Sequence, residues 1–251
     1  MGSNVQSIDR ALNILEIISN QEMISLKEIV NQTELSKSTV HRLINSLISN
    51  GYVKQNEVTA QYEITFKMFQ LGNKRVQNID FLNVAKSMIS QLTNTLEETC
   101  HLVVEDNSEV LYIDKFVPSN NTRAMASKIG KRAPMYCTAV GKSILSTYSD
   151  ESIKEIWNQS NIIKLTDNTI IDFGEFMDEI NKIRVQGYSV DNEENEQGIY
   201  CVSTYFVNYR NEVQGAISLS FPTTQMQQKE YFIDELKICA HKISKLLGYN
   251  Q

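Results

Sequence analysis

Cysteine, proline and long apolar runs are all scarce in this sequence of 251 residues. Its four cysteines, at positions 100, 137, 201 and 239, lie far apart and form no C-x-x-C pair. This spacing argues against a disulfide framework or a zinc knuckle and predicts four small buried side chains. Only three prolines are present, and the composition is typical of a folded chain. No apolar run approaches the roughly 18–20 residues that a membrane helix needs.

An excess of positive charge is also missing, because 24 Lys and Arg stand against 30 Asp and Glu. Residues 1–78 hold eight basic and seven acidic side chains, and the remaining residues hold 16 and 23. A near-neutral segment joined to an acidic one suggests two parts with different functions. Charge alone does not identify a nucleic-acid binder here. The first residues show no basic segment followed by an apolar one, so we expect no secretory signal and a cytoplasmic location.

Three helices and a hairpin are predicted at the N-terminal end of the chain. Apolar residues recur every three or four positions, which predicts a helix from Ser7 to Ser19. The expected buried face of that helix holds Val5, Ile8, Leu12, Leu15 and Ile18. Ser25 and Glu28 match a capping box, so a second, short helix should begin at Leu26.

The stretch LSKSTVHRLINSLISNGYV, residues 35–53, predicts a third helix. Ser36 is a good N-cap, and Leu35 and Val40 match a hydrophobic staple around it. Gly51 supplies a C-terminal stop. One apolar stripe is formed by Val40, Leu43, Ile44, Leu47 and Ile48. The opposite face carries small hydrogen-bonding side chains instead of the usual charged ones.

Two short strands, YVKQ and QYEI, follow this helix and are joined by a polar turn at residues 56–60. This order of elements is typical of a winged helix-turn-helix, whose recognition helix enters the major groove of DNA. Short hydroxyl and amide side chains beside an Arg can approach phosphates and base edges, where Glu would be repelled. The predicted DNA contacts are Lys37, Ser38, Thr39, Arg42, Asn45 and Ser46. The alternative is a plain surface helix in a small helical subdomain.

Beyond this region the pattern changes to a long helix followed by strands and helices. Residues 80–98 contain no Pro or Gly and have one apolar face, so we predict a linker helix over residues 79–98. It would join a DNA-binding domain at residues 1–78 to a domain at residues 99–251. The expected strands are HLVVED, EVLYIDKF, RAMAS, YSVDN, IYCVSTYFVNY and EVQGAISLSF. With helices between and after them, they predict an α+β domain whose antiparallel sheet carries helices at its faces.

The order and spacing of these motifs resemble the IclR family of bacterial transcriptional regulators over nearly the whole chain. The N-terminal motifs are SIDRALNILEII, LSKSTVHRLINSLISNGYV and YEITFKMFQLG. The C-terminal motifs are IGKRAPMYCTAVGKSIL, QGYSVDNEENEQGIYCVS and GAISLSFP. The resemblance implies a winged helix-turn-helix, a linker helix and a GAF-like effector domain. It also implies homodimers or dimers of dimers that change their binding to double-stranded DNA, at a palindromic operator, when a small organic acid binds.

The resemblance further implies an effector pocket. The matching residues are Ala139, Val140, Asp191, Ile199, Cys201, Ser218 and Ser220. Ser218 and Ser220 lie two apart on a predicted strand, so their hydroxyls share one side, which faces either the pocket or the solvent. Two residues depart from the family pattern, Tyr205 in place of Pro and Phe221 in place of Gly. Both are large aromatic residues expected near the strands that form the pocket, which leaves the size and shape of the ligand open.

Three other interpretations of the C-terminal domain are open from the sequence. An enzyme would use Cys201, His101 and Asp191 as nucleophile, base and orienting acid, but no local catalytic motif supports this. A metal sensor would add Glu193 and Glu194 as ligands, although DNEEN is more typical of a solvated acidic loop. A purely structural dimerisation domain would have no open pocket. We favour a regulator that has no catalytic residues, cofactor or metal site.

Overall fold

Two compact units, Met1–Asp80 and Phe81–Gln251, make up the computed structural model of the chain. The structure describes residues 5–77, 81–119 and 127–249, with the backbone alone described at residues 75–77. Each unit has a hydrophobic core of its own.

The described part of the N-terminal unit contains four helices and a two-stranded hairpin. The helices are α1 (Gln6–Ser19), α2 (Leu26–Asn31), α3 (Lys37–Ser49) and α4 (Lys67–Gln77). The strands are β1 (Val53–Gln55) and β2 (Tyr62–Ile64), which pair in antiparallel fashion. The predicted winged helix-turn-helix is confirmed.

The predicted start and stop signals of α2 and α3 are present. Ser25 Oγ accepts a hydrogen bond from the Glu28 amide, and Glu28 Oε2 accepts one from the Ser25 amide at 2.9 Å. Ser36 Oγ accepts from the Thr39 amide at 3.3 Å and caps α3. Gly51 follows α3 with φ +73°, a left-handed conformation that would strain any residue with a side chain.

The predicted buried face of α1 is wrong in the first half of the helix. Val5, Ile8 and Leu12 are 58%, 56% and 53% exposed. The buried residues are instead Ile14, Leu15, Ile17 and Ile18, which share a core with the apolar stripe of α3. Because only the last turns of α1 reach that core, the apolar spacing identified the helix correctly but not the extent of its buried face.

Helix α4 occupies a segment for which the sequence predicts no helix. Phe66, Phe69 and Leu71 are exposed in this unit, and a helix that buries so little apolar surface gives a weak periodic signal. Its first turn is attached to the end of α3 by Lys67. The Lys67 Nζ donates to the Asn50 carbonyl at 2.6 Å and lies 4.5 Å from the centre of the Tyr52 ring.

The C-terminal unit is an α+β domain, as predicted. Its helices are α5 (Leu82–Leu96), α6 (Ala139–Leu145), α7 (Asp150–Gln159), α8 (Phe173–Gln186) and α9 (Lys229–Leu246), with a 3-10 helix at Thr223–Gln228. Its strands are β3 (Thr99–Asp106), β4 (Glu109–Phe116), β5 (Arg132–Pro134), β6 (Ser189–Asn192), β7 (Ile199–Val207) and β8 (Val213–Pro222). They form one sheet in the order β5-β4-β3-β8-β7-β6, in which every neighbouring pair is antiparallel.

Different helices cover the two faces of this sheet. On one face, Phe221 of β8 packs against Phe232 of α9 with ring centroids 4.8 Å apart. On the same face, Phe206 of β7 packs against Phe81, which precedes α5, at 5.1 Å. On the other face, Ala216 joins a core built with α6, α7 and α8. Alternate residues of a strand therefore point to α5 and α9 or to α6.

The predicted linker helix over residues 79–98 begins outside the described residues. What the structure describes is α5, which starts at Leu82, belongs to the C-terminal unit and packs on β3 and α9. The division into residues 1–78, 79–98 and 99–251 stays a prediction. The strand expected in RAMAS, residues 123–127, also lies almost wholly outside the described residues, and β5 was not predicted.

Candidate functional site

The outer face of α3 is exposed, as a DNA-reading surface requires. The opposite side is buried in the core of the N-terminal unit. The exposed members of the predicted DNA-binding set are Lys37, Ser38, Arg42, Asn45 and Ser46, and Thr39 is half-buried. Within the described parts of the chain, the side chains of Lys37 and Arg42 have no hydrogen-bond or ion-pair partner. Both cations are therefore available to a ligand.

Local contacts organise the polar side chains on this face. Ser36 Oγ lies 3.1 Å from Ser38 Oγ and 2.9 Å from Thr39 Oγ1, so these hydroxyls are tied to the helix cap. His41 is exposed on the same face, and its Nδ1 lies 3.4 Å from Asn45 Nδ2. His41 was not in the predicted set, although its position four residues before Asn45 could have identified it.

A cavity of about 60 Å³ lies between the sheet and α6 in the C-terminal unit. All seven residues of the predicted effector set line it: Ala139, Val140, Asp191, Ile199, Cys201, Ser218 and Ser220. The antiparallel register brings them together, since Asp191 of β6 lies opposite Cys201 of β7, which lies opposite Ser220 of β8. That these residues contact an effector stays a prediction.

Eight further residues line the cavity and were not in the predicted set: His101, Tyr112, Ser127, Lys131, Ala133, Thr138, Asn195 and Glu196. Among these eight residues, His101 stands out because its ring nitrogens contact three other residues of the lining. Its Nε2 lies 2.8 Å from Ser127 Oγ, and its Nδ1 lies 3.3 Å from Ser218 Oγ and 3.5 Å from Ser220 Oγ. The pairing of β3 with β8 places His101 opposite Ser218, and no local motif in the sequence marks that register.

Burial keeps His101 neutral. It lowers the pKa of His101 to about 3, with a smaller contribution from the charge of Lys115. A neutral imidazole donates through one ring nitrogen and accepts through the other. His101 therefore adds hydrogen-bonding capacity to the cavity without adding charge, and it holds the hydroxyls of Ser218 and Ser220 on the cavity side of the sheet.

Asp191 places a carboxyl group in the cavity wall and is only 4% exposed. Its Oδ1 accepts from the backbone amides of Glu194 at 2.7 Å and Asn195 at 3.3 Å. Burial, followed by the nearby charge of Glu194, raises the pKa of Asp191 to about 7 despite these bonds. Near neutral pH this group is thus divided between a carboxylate that only accepts and a carboxylic acid that can also donate.

Tyr205 and Phe221 lie on β7 and β8, the strands that carry pocket residues, as expected, but neither side chain lines the cavity. Phe221 follows Ser220 on β8 and so points to the other face, where it contacts Tyr200 and Phe232. Tyr205 lies four residues beyond Cys201 along β7 and is partly exposed. The departures from the family pattern therefore change the packing around the sheet, not the cavity lining.

The geometry does not activate Cys201 as a nucleophile. Its Sγ lies 3.0 Å from Ser220 Oγ, and burial raises the pKa of this thiol, whereas a nucleophilic cysteine needs a lowered pKa. Among the residues that the structure describes, no three His, Cys, Asp or Glu side chains converge on a possible metal position. The open cavity also argues against a C-terminal domain filled entirely by its own side chains.

The four cysteines are free thiols, and three of them, Cys100, Cys137 and Cys239, are buried as predicted. Cys201 is only partly buried, because it faces the cavity. None of the described helices has the length and apolar character that a membrane crossing requires.

Two family models match the chain. The IclR helix-turn-helix domain matches residues 7–57, and the bacterial transcriptional regulator IclR C-terminal model matches residues 73–245. The chain is 33% identical over 249 residues to the HTH-type transcriptional regulator KdgR of Dickeya chrysanthemi, covering 98% of this chain and 81% of that protein. It is 30% identical over 249 residues to the DNA-binding transcriptional repressor YiaJ of Escherichia coli strain K12, covering 97% and 88%.

A solved structure shares this fold over nearly its full length. The crystal structure of the Thermotoga maritima IclR has a TM-score of 0.82 and 30% identity, and the match covers 98% of this chain and 100% of that one. The relatives are DNA-binding transcriptional regulators and not enzymes. Since the matches span both units and the structure has the winged helix-turn-helix that DNA binding needs, this chain belongs to the IclR family of bacterial transcriptional regulators.

Proposed function

We propose that this regulator binds its operator through α3 and that a small organic acid changes the affinity by entering the cavity of the C-terminal unit. One observation carries the proposal: residues from six strands and one helix converge on a largely enclosed cavity, lined in part by polar side chains, in the unit that accompanies the winged helix-turn-helix. Hydroxyl and carboxyl groups in the wall of a largely enclosed cavity can form hydrogen bonds to a ligand that is shielded from water.

Base reading is proposed to depend mainly on Arg42. Its exposed guanidinium lies on the outer face of α3 and can donate two parallel hydrogen bonds to the edge of a guanine. Lys37, in the first turn, is suited to a phosphate contact. The lesser contacts are proposed for Ser38, Thr39, Asn45 and Ser46, to which the exposed His41 is added here.

The acid's carboxylate is proposed to accept hydrogen bonds from Ser218 and Ser220, whose hydroxyls both reach the cavity. Asp191 lies two strands away from Ser220 in the sheet, about 10 Å at ordinary strand spacing. Its carboxyl would accept from a hydroxyl group of the same molecule. A cavity of about 60 Å³ has room for about four water molecules, which favours an acid of few carbon atoms.

A ligand screen by thermal unfolding tests this proposal. The panel would contain glycolate, pyruvate, glycerate and succinate, with propanol and glycerol as uncharged controls. A ligand that binds only the folded state raises Tm as its concentration rises. We expect at least one acid and neither alcohol to do so.

Variants connect a positive result to the cavity. Ser220→Ala and Cys201→Ala should each reduce the acid-dependent rise in Tm while leaving DNA binding without the acid intact. Ser90→Ala, on the exposed side of α5, is the matched control and should keep the full response. The proposal fails if no acid raises Tm, or if the response survives in both cavity variants.

The rest of the proposal concerns the oligomeric state, the choice between repression and activation, and the location in the cell. A homodimer or a dimer of dimers would let paired recognition helices read a palindromic operator in double-stranded DNA. Repression is proposed because the Escherichia coli relative YiaJ is described as a transcriptional repressor. We place the protein in the cytoplasm, where a DNA-binding regulator of this family would meet its operator.

A further inference from the structure

The segment between β6 and β7, residues 193–198, forms a compact acidic loop beside the cavity. It begins at Glu193 and ends at Gly198, both in the left-handed region with φ +59° and +80°. The carboxylate of Glu193 closes the loop by accepting from the Gly198 amide at 2.6 Å. Within the loop, Asn195 and Glu196 contribute directly to the cavity wall. The position of this loop therefore determines how fully the cavity is enclosed.

Lys142 ties the acidic loop to the helix on another side of the cavity. Its side chain is fully buried on α6, and its Nζ forms an ion pair with Glu194 Oε1. Glu179 of α8 supplies a second, more distant carboxylate, with Nζ and Oε1 3.9 Å apart. Because the first turn of α6 carries Ala139 and Val140, this one lysine connects two parts of the cavity lining.

Apart from this ion pair, the carboxylate of Glu194 has few hydrogen bonds among the described residues. It is buried, and its Oε2 has no hydrogen-bond partner among the described residues. Two hydrogen bonds hold the backbone of the same residue: its amide donates to Asp191 Oδ1, and its carbonyl accepts from Thr169 Oγ1. A buried carboxylate that loses its cation is strongly destabilised, and burial already raises the pKa of Glu194. Such a group relieves the cost by taking up a proton or, when it lies on a loop, by moving into water.

We propose that Lys142 is a latch that holds the acidic loop closed, and that outward movement of this loop admits small molecules to the cavity. Lys142 does not line the cavity, so it acts as a positioning residue and not as a ligand contact. The identification of the admitted molecule as an effector rests on the proposed function, but the latch itself does not. The latch can accordingly be tested by cysteine labelling of the full chain, with neither effector nor operator present.

The four cysteines of the chain report on loop opening. Cys201 lines the cavity, whereas Cys100, Cys137 and Cys239 are buried and do not line it. The thiolate is the reactive form, and burial raises the pKa of all four thiols, so each labels slowly in the closed protein. Labelling of the full chain with iodoacetamide, followed site by site with mass spectrometry, separates local opening at Cys201 from global unfolding at all four sites.

Lys142→Met removes the latch but keeps most of its volume. We expect the labelling rate of Cys201 to rise at least tenfold while the other three cysteines keep their rates. Glu194→Gln should act in the same direction, by several-fold, because it removes the charge that Lys142 holds. Lys182→Met is the matched control, since Lys182 is exposed and pairs with the same Glu179 at 3.7 Å. It should leave Cys201 unchanged.

Two results would overturn the latch. One is an equal rise at all four cysteines, which would make Lys142 a general stabiliser of the core. The other is an unchanged rate at Cys201 in the folded variants. If Lys142→Met does not fold, Glu194→Gln decides between these outcomes by itself. A negative result here leaves the acid-binding proposal standing, and a negative acid screen leaves the latch standing.

Discussion

Single residues on α3 are expected to decide how DNA is read, and Arg42 is expected to matter most. It is an exposed arginine on the outer face of α3. A bidentate contact with guanine contributes about 1–3 kcal/mol of discrimination against other bases. Arg42→Ala should therefore weaken operator binding and relax the preference at one base position in each half-site. Binding to a library of single-base operator variants measures this.

Lys37→Ala provides the comparison for Arg42, because Lys37 is exposed in the first turn of the same helix. As a phosphate contact it should weaken binding by a similar factor on all sequences and make the affinity less dependent on salt. A uniform loss for Arg42→Ala as well would reassign that residue to the DNA backbone.

Asp191 makes the stability of the C-terminal unit depend on pH. Its folded pKa of about 7 lies above the ordinary value of 3.8, so the unfolded chain loses this proton first as the pH rises. The folded state is consequently destabilised progressively from about pH 4 to pH 7, and the full penalty remains above that range. Three pKa units correspond to about 4 kcal/mol, which is an upper value for this effect.

Asp191→Asn keeps the shape of the side chain and an oxygen to accept the two backbone bonds, but it cannot ionise. The variant should be more stable than the parent at pH 8 by up to about 4 kcal/mol, and the difference should vanish near pH 4. Urea unfolding followed by the fluorescence of the single tryptophan, Trp157, reports on this unit. Asp167→Asn, on an exposed loop, should show no such trend. Equal stability of Asp191→Asn and the parent at every pH would contradict the prediction.

At the level of elements, the proposed effect of an acid on DNA binding is expected to depend on the chain between α4, which ends at Gln77, and α5, which begins at Leu82. Coupling between a ligand site and a DNA site typically amounts to about 1–3 kcal/mol, or roughly 5–150-fold in affinity. Inserting two glycines after Asn78, in residues outside those described, should leave acid binding nearly intact but remove most of its effect on operator affinity. Operator titrations with and without a saturating acid from the screen measure this.

The same titrations on the parent chain set the scale for the insertion variant. An undiminished response to the acid after the insertion would rule out a rigid connection between the two units. It would not affect the assignment to the family, which rests on the matched residues.

At the level of the whole molecule, we expect at least a homodimer. One recognition helix contacts too few base pairs to select a single site in a genome, whereas two related by a two-fold axis read both halves of a palindrome. Half-sites should then lie about 34–36 Å apart, or at a multiple of that distance. Sedimentation at micromolar concentration and footprinting of the operator test these points together. A monomer that binds one half-site tightly would contradict them.

Features that depend only on neighbouring residues in the chain could be predicted before the structure was known. The caps at Ser25 and Ser36 and the stop at Gly51 all lie where predicted, because a few adjacent residues decide each of them. The same holds for most helices and strands, whose apolar repeats are local. The family motifs also named seven residues that the structure places around one cavity.

Strand pairing, and the choice of which helix covers each face of the sheet, could be found only in the tertiary structure. Which side of β8 meets the cavity follows from α9 covering the side of Phe221, and not from the alternation that places Ser218 and Ser220 together. His101 enters the cavity because β3 pairs with β8, which joins residues 117 positions apart. Lys142 is buried because α6 packs its charge against Glu194, a partner 52 positions away that no local pattern identifies.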